Sequence, residues 1–447
     1  MRKPYFRLMV ASTLAVLVLG LVLVACQPAA TPTTEAAPTD TPPPPVKILY
    51  WSHDFPPRAD LDREYMDKFK ADNPGVEIEY VIGPGNDSEY ITKLVTALAG
   101  GEGPDCFTLL SMAAAPLLAQ GSVIPLDYKL LGYDSQEALE TSYVEGTLEG
   151  LKYNGTLYAI PNEVSIYSLF LNKKLFEDAG LDPAADYPKT WEDLRPLAEK
   201  LNLVEGGQLK QRAFDFTYGM PDDITSPVLT LAGMAYQLGG TVVNAEGTEA
   251  TVNTEPWVRT FQFVQDWVYQ DKFGDPALTV SNIGFYEGTV AMTISGSWFS
   301  SYIKDQQSPV YDTHTVVPLP RWSDATNPTG AFMYSYGIFI NAASSPEKQQ
   351  VCQGLIKELS AHPERYLTDA GLLQPTLALS QSSTIQEVPN MQVFLNDMVG
   401  TPYWLVHTET FAIADAIGRA LQRVVTENQP VQEALDQAKS EIDELLK

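Results

Sequence analysis

The sequence predicts an α/β fold in two domains, carried behind a leader segment and an extended tether. Three observations lead there. From residue 46 onward, short apolar runs alternate with stretches whose apolar residues recur at helical spacing, the order that builds parallel sheets covered by helices. About 400 residues follow the tether, more than a single hydrophobic core accommodates. The first 45 residues, by contrast, offer a core nothing beyond one uncharged run.

The elements follow in order. Val46 to Trp51 reads as a buried strand, and Asp60 to Ala71 sets Leu61, Tyr65 and Phe69 on one helical face. Asn73-Pro74-Gly75 stops that helix. Val76, Ile78 and Tyr80 alternate as a strand, and Ser88 to Leu98 is a helix with Ile91, Leu94, Val95 and Leu98 as its stripe. Asp105 to Ser111 is a third strand. Tyr158 to Leu171 runs extended through Pro161 into a helix beginning near Lys173. Trp191 to Leu201 is a helix with Thr190 as N-cap and an acid close behind. Helices are also expected at Leu229 to Leu238, Pro256 to Gln270, Pro346 to Ser360 and Val431 to Leu446, with strands at Ala291 to Ile294 and Ser335 to Ile340. Ligands of such sheets bind at the carboxyl ends of the strands.

The leader and tether bound the location. Arg2, Lys3 and Arg7 precede an uncharged run from Leu8 to Ala25 that ends in Leu23-Val24-Ala25-Cys26. A basic start, an apolar stretch and a small residue before a cysteine describe a secretory signal with cleavage and acylation at Cys26. Residues 27 to 45 hold seven prolines and five threonines, a composition that stays extended and solvated. The expected organisation is therefore a signal peptide over 1–25 and a lipidated cysteine with its tether over 26–45. Deleting Arg2, Lys3 and Arg7 takes the formal charge from −27 to −30. That balance excludes nucleic acid and electrostatic adhesion to anionic lipid, both of which reward clustered cations. Membrane attachment must come from lipid on Cys26, at the outer face of the cell membrane.

Chemistry-bearing motifs are sparse. There is no HExxH, GxSxG, CxxC or phosphate-cradling glycine loop. The four histidines, His53, His314, His362 and His407, are scattered, so neither a metal site nor a cofactor is expected. Cys106 and Cys352 lie far apart among apolar residues and read as two buried thiols acting as small hydrophobes, with a disulfide left open.

Four blocks carry a resemblance. Phe285 to Ile303 (FYEGTVAMTISGSWFSSYI), with Val317-Pro318-Leu319-Pro320 behind it, is similar to the extracellular solute-binding proteins of bacterial ABC importers, in the branch like maltose-binding protein. Tyr158 to Leu175 (YAIPNEVSIYSLFLNKKL), Leu238 to Asn253 (LGGTVVNAEGTEATVN) and Tyr336 to Leu359 agree with it in the same order. The resemblance implies a two-lobe periplasmic-binding-protein type II fold, each lobe a mainly parallel sheet flanked by helices. Lobe one would comprise 46–162 and 334–375, lobe two 163–333 and 376–447. Hinge crossings would lie near Asn162 to Val164, Gly330 to Met333 and Leu373 to Pro375.

Candidate ligand residues come from the strand ends and from the resemblance. Trp51, Ser52, His53 and Asp54 follow the first strand, although Trp51 can equally finish it. Asn86 and Ser111 lie in the next two strand-end loops. The resemblance places Glu163 and Ser165 at the first crossing, Trp298 as a ring that stacks on sugar, and Tyr403 with Trp404 as a late aromatic wall whose alternative is a packed loop. Asp222 and Asp223 either reach the cleft or cap the following helix. Trp191, Trp257 and Trp267 fall on helices and read as core.

Aromatics plus neutral hydrogen-bonding groups suit a carbohydrate, where a flat ring covers the C–H face and polar groups read hydroxyls. The expected role is a monomeric substrate-binding lipoprotein that hands a sugar or oligosaccharide to ABC permease subunits, without catalysis. A polyamine or other cationic solute is the alternative ligand, drawn to Asp54, Glu163, Asp222 and Asp223. A surface-anchored glycan hydrolase and a ligand-sensing ectodomain are the alternatives of other classes.

Overall fold

A computed structural model describes residues 44–447 apart from 85–86, 215, 217–224, 279, 328–331, 399 and 406. Cys26, Asn86, Asp222 and Asp223 lie outside the described residues, and so do the signal, nearly all of the tether and Gly330.

Residues 44–447 group as one unit around a seven-stranded sheet. Its strands are β1 (Val46–Ser52), β2 (Val76–Ile82), β3 (Cys106–Leu110), β4 (Ile160–Asn172), β5 (Met292–Gly296), β6 (His314–Val317) and β7 (Met333–Ile340). The order is β6-β4-β7-β3-β1-β2, with β5 also paired to β4. β1 runs parallel to β2, Val46 opposite Val76 and Ser52 opposite Ile82, and parallel to β3. The sheet is mixed overall, because β7 is antiparallel to β3 and β4, and β5 and β6 are antiparallel to β4.

β4 holds the sheet together. All 13 of its residues are buried. Its first half, Ile160 to Ile166, pairs with β7, and its second half, Tyr167 to Asn172, pairs with β5 and β6. Such a strand must be apolar or internally satisfied throughout, which VSIYSLFL supplies with β-branched, aromatic and small hydroxyl residues. Asn162 opposes no residue of β7, since the register shifts from Tyr336↔Glu163 to Gly337↔Pro161; this is a β-bulge.

The segments expected to cross between lobes lie side by side here. Val164 donates its N–H to the Leu373 carbonyl at 2.8 Å, Ser335 opposes Val164, and Met333 donates to the Pro402 carbonyl at 3.0 Å.

Several elements depart from the sequence reading. The first helix spans Pro56–Asp72 and starts four residues before the expected Asp60, because Pro56 and Pro57 have the φ of a first turn and no N–H to leave unpaired. The third strand stops at Leu110 and Ser111 opens the helix Ser111–Ala119. Residues 191–193 form a turn and the helix follows as Leu194–Leu201. Thr190 is therefore not its N-cap: Thr190 and Asp193 close the preceding turn, Asp193 N–H donating to Thr190 Oγ1 at 3.3 Å and Thr190 N–H to Asp193 Oδ2 at 2.8 Å, and the helix's N-cap is Asp193, whose side chain accepts from no helical N–H. The helix Thr410–Thr426, packed on Val431–Leu445, was not anticipated.

Cys106 and Cys352 are not free thiols. They form a disulfide with Cα atoms 6.0 Å apart, because β3 and the helix Pro346–Leu359 bring together residues that sequence separates by 246. Trp191, Trp257 and Trp267 are core, as expected.

Candidate functional site

Strand pairing puts five side chains of β4 and β7 on one face. Paired residues of antiparallel strands point the same way, and alternate residues share a side. The pairs Tyr336↔Glu163, Tyr334↔Ser165 and Gly296↔Tyr167 therefore align Glu163, Ser165, Tyr167, Tyr334 and Tyr336. Trp298, half-buried at the start of the helix Phe299–Asp305, reaches back to this face and donates its Nε1–H to the Tyr334 hydroxyl at 2.7 Å. Gly296 makes that return possible, since a Cβ there would collide with the Trp298 indole and the Ser165 hydroxyl. The Ser295-Gly296-Ser297-Trp298 sequence thus has a steric cause.

His53 extends the wall beyond β1. Its ring stacks on Tyr336 at 3.6 Å between centroids and 21° between planes. Both ring nitrogens are engaged within the protein: Arg58 Nη1 lies 2.7 Å from Nε2 and 3.1 Å from Nδ1, and Nδ1 is 3.3 Å from Thr108 Oγ1. Arg58 Nη2 also donates to the His53 carbonyl and, at 3.3 Å, to Ser52 Oγ. Arg58 itself pairs with Asp62, Nε to Oδ2 at 3.4 Å, and both side chains are 0% exposed. Asp62 accepts from the Tyr366 hydroxyl at 2.7 Å and the Tyr80 hydroxyl at 3.1 Å. Residues 58 and 62 share a helical face one turn apart, so the pair is local to its helix while its hydroxyl partners come from β2 and from the helix Pro363–Ala370.

Burial sets the electrostatics. It pushes the Asp62 carboxyl up, against the pull of Arg58 and the two tyrosines, and it lifts the Tyr334 phenol well above its ordinary value. Burial first, then Arg58, holds the His53 imidazole well below its usual range, and burial lowers that of His314. A histidine whose folded value is depressed takes up its proton more readily in the unfolded chain. Its contribution is complete above about pH 6.5 and is lost below it, at up to about 1.4 kcal/mol per pH unit for each group. Urea unfolding is therefore expected to show a lower midpoint at about pH 5.5 than at about pH 7.5, and His53→Gln to shrink that loss. An unchanged midpoint in acid would contradict the assignment.

The other sequence candidates are dispersed. Asp54 is exposed. Trp51 sits within β1 opposite Phe107 and Val81, with the Lys93 ammonium 5.2 Å from its ring, so it does finish the strand. Ser111 accepts the Ser335 N–H at 3.1 Å and ties its helix to β7. Tyr403 donates its hydroxyl to the Thr147 carbonyl at 2.5 Å and lies against Gly150, where a side chain would strike the ring. Trp404 is 1% exposed and belongs to the packed loop rather than to an open wall. Sequence reasoning missed Tyr334, Tyr336, Tyr167 and the Arg58–Asp62 pair. The tyrosines alternate in Met333-Tyr334-Ser335-Tyr336, a signal of one shared face, and Arg58 and Asp62 had helical spacing.

The sequence pattern common to bacterial extracellular solute-binding proteins matches residues 56–359, about two thirds of the chain. The chain belongs to this family. The matched span of this solute-binding protein includes β4, β7, Trp298 and the Arg58–Asp62 pair. Its fold is similar to that of maltose-bound MalE3 of T. maritima, at 21% identity over 89% of this chain and 99% of that one, with a TM-score of 0.76. It is equally similar to an ABC transporter solute-binding protein of Thermotoga lettingae solved with α-D-tagatose, at 18% identity, 90% and 100% coverage and a TM-score of 0.76. An arabinooligosaccharide-binding protein of Halalkalibacterium halodurans is 22% identical over 287 residues, 62% of this chain and 60% of that protein. These relatives bind solutes. No helix among the described residues is long and apolar enough to cross a membrane, and no group of three or more His, Cys, Asp or Glu gathers there to hold a metal.

Proposed function

We propose that this protein is the substrate-binding lipoprotein of an ABC transporter, taking a sugar or oligosaccharide between two lobes and delivering it to a membrane permease without chemical change. The observation that carries the proposal is the wall itself. Trp298 offers a flat indole beside Tyr334, while Glu163 and Ser165 stand on the same face, the combination of stacking surface and hydrogen-bonding groups that pyranoses require. The maltose, tagatose and arabinooligosaccharide of the relatives named above are all carbohydrates. A cationic solute finds less there, because Glu163 is the one carboxylate among the five aligned side chains and Asp62 is neutralised by Arg58.

The lobes are 46–162 with 334–375 and 163–333 with 376–447, and the adjoining crossing segments serve as the hinge. Ligand bridging both lobes stabilises the closed form by its differential affinity. After signal cleavage, lipid on Cys26 holds the chain at the outer face of the membrane. The buried disulfide supports this location, since such bonds persist outside the reducing cytosol.

Thermal shift with maltose, maltotriose, arabinooligosaccharides and spermidine tests the reading. A bound sugar at about one hundred times its dissociation constant is expected to stabilise the protein by about 2.7 kcal/mol. Trp298→Ala should weaken that sugar by more than about 1 kcal/mol, roughly fivefold, with folding intact. Stabilisation by spermidine alone would move the ligand to the cationic class, and turnover of the oligosaccharides would make the protein an enzyme.

A further inference from the structure

The Arg58 guanidinium has no direct access to a solute, being wholly buried, yet it reaches the candidate wall through the ring and carbonyl of His53. A guanidinium can only donate hydrogen bonds. The ring nitrogen it faces most closely, His53 Nε2 at 2.7 Å, must therefore present a lone pair. The proton then resides on Nδ1, the ring nitrogen farther from that Nη1, at 3.1 Å against 2.7 Å, with Thr108 Oγ1 at 3.3 Å to receive it. A doubly protonated ring would set two cations against each other in a site closed to water, and it would leave Arg58 Nη1 with no acceptor. The ring's face is also committed, since it lies flat on Tyr336, whose pair partner across the sheet is Glu163.

We propose that Arg58 is a positioning residue for the solute wall: it selects the uncharged, Nδ1-protonated form of His53 and fixes that ring flat beneath Tyr336, so that the wall keeps one shape as external acidity changes. The proposal concerns the wall and holds whichever solute the protein carries.

The groups facing His53 from each neighbouring element agree with it. The helix Pro56–Asp72 contributes Arg58, with Asp62 behind it. β7 contributes Tyr336, and the helix Asp87–Ala99 contributes Tyr90, its ring 6.4 Å away. β3 contributes the hydroxyl of Thr108. β2 contributes Tyr80, which bonds Ser52 Oγ at 2.8 Å and Asp62 at 3.1 Å. β4 contributes Glu163, the pair partner of Tyr336, whose charge also acts on Arg58. Arg58 is the cation in contact with the ring, and the Asp62 carboxylate bonds Arg58 and two tyrosines rather than the imidazole. Burial and the guanidinium thus act in the same direction on His53, with Arg58 in place to decide which nitrogen carries the proton.

Histidine-selective NMR of the intact protein provides the test. The four histidines give few signals, and His53→Gln assigns the relevant one. From about pH 8 to about pH 5.5 the His53 signal of the unaltered protein is expected to complete less than about a tenth of its protonation shift and its two ring nitrogens to give the widely separated shifts of the Nδ1-protonated form, whereas Arg58→Met should bring those two nitrogen shifts together as the tautomers mix. A titrating His53 in the unaltered protein overturns the proposal. So does an unchanged pair of nitrogen shifts in folded Arg58→Met, because the tautomer would then be set without the guanidinium. Should Arg58→Met fail to fold, Arg58→Lys retains the charge without the planar fork; it is expected to leave His53 uncharged while abolishing the ring-current shift from Tyr336, and an unaltered ring-current shift overturns the positioning role. None of these signals requires a ligand, so a failure of sugar binding is read separately.

Discussion

Replacing both Cys106 and Cys352 with alanine is expected to destabilise the protein by about 5 kcal/mol. The bond closes a loop of 246 residues, and the loss of chain entropy it imposes on the unfolded state grows with the logarithm of loop length. Both residues are fully buried, so the alanines also leave small voids where sulfur packed. The stabilisation joins pieces distant in the chain: β3 belongs to the early part, and the helix Pro346–Leu359 arrives only after β4, β5 and β6 have been laid down. Guanidinium unfolding of the double variant against the parent measures the effect. A loss below about 1 kcal/mol would show that the unfolded chain gains little freedom from the cut. Refolding with reductant present should reproduce the variant's midpoint.

Asp62→Asn is expected to cost about 3–5 kcal/mol, the usual penalty for removing one member of a buried ion pair. The substitution preserves shape and leaves an oxygen for the Tyr366 hydroxyl, now 2.7 Å from Asp62, but it leaves the Arg58 charge without its carboxylate in a place water does not reach. The penalty comes from the abandoned guanidinium rather than from the pair's net worth. Replacing both residues, Arg58→Met with Asp62→Leu, should accordingly recover most of the loss. A double-mutant cycle by urea unfolding separates the coupling from the individual costs. Additive losses across the cycle would show that the two charges do not depend on one another.

Much of this molecule is legible locally. The alternation of strands and helices, the stop at Asn73-Pro74-Gly75 and the core tryptophans each follow from spacing or from one residue's stereochemistry. What escaped depends on partners far away in the chain. Nothing near Cys106 announces Cys352, because their meeting is a property of β3 and a helix that folds back over it. The candidate wall is assembled by register: Tyr334 and Tyr336 alternate visibly, but that they share a side with Glu163 and Ser165 follows only from Tyr336 opposing Glu163. Trp404 was indistinguishable from a wall residue until the path of its loop was known. Other misses had a readable signal. Pro56-Pro57 marks a helix start, Arg58 and Asp62 are four apart, and Thr410–Thr426 carries a regular stripe through Ile413, Ile417, Leu421 and Val424.

β4 has an evolutionary consequence. A backbone segment owned in common cannot be divided by recombination without robbing one side of a central member, so neither portion of this molecule is a transferable module. New specificities must therefore arise by exchanging individual side chains along an inherited frame.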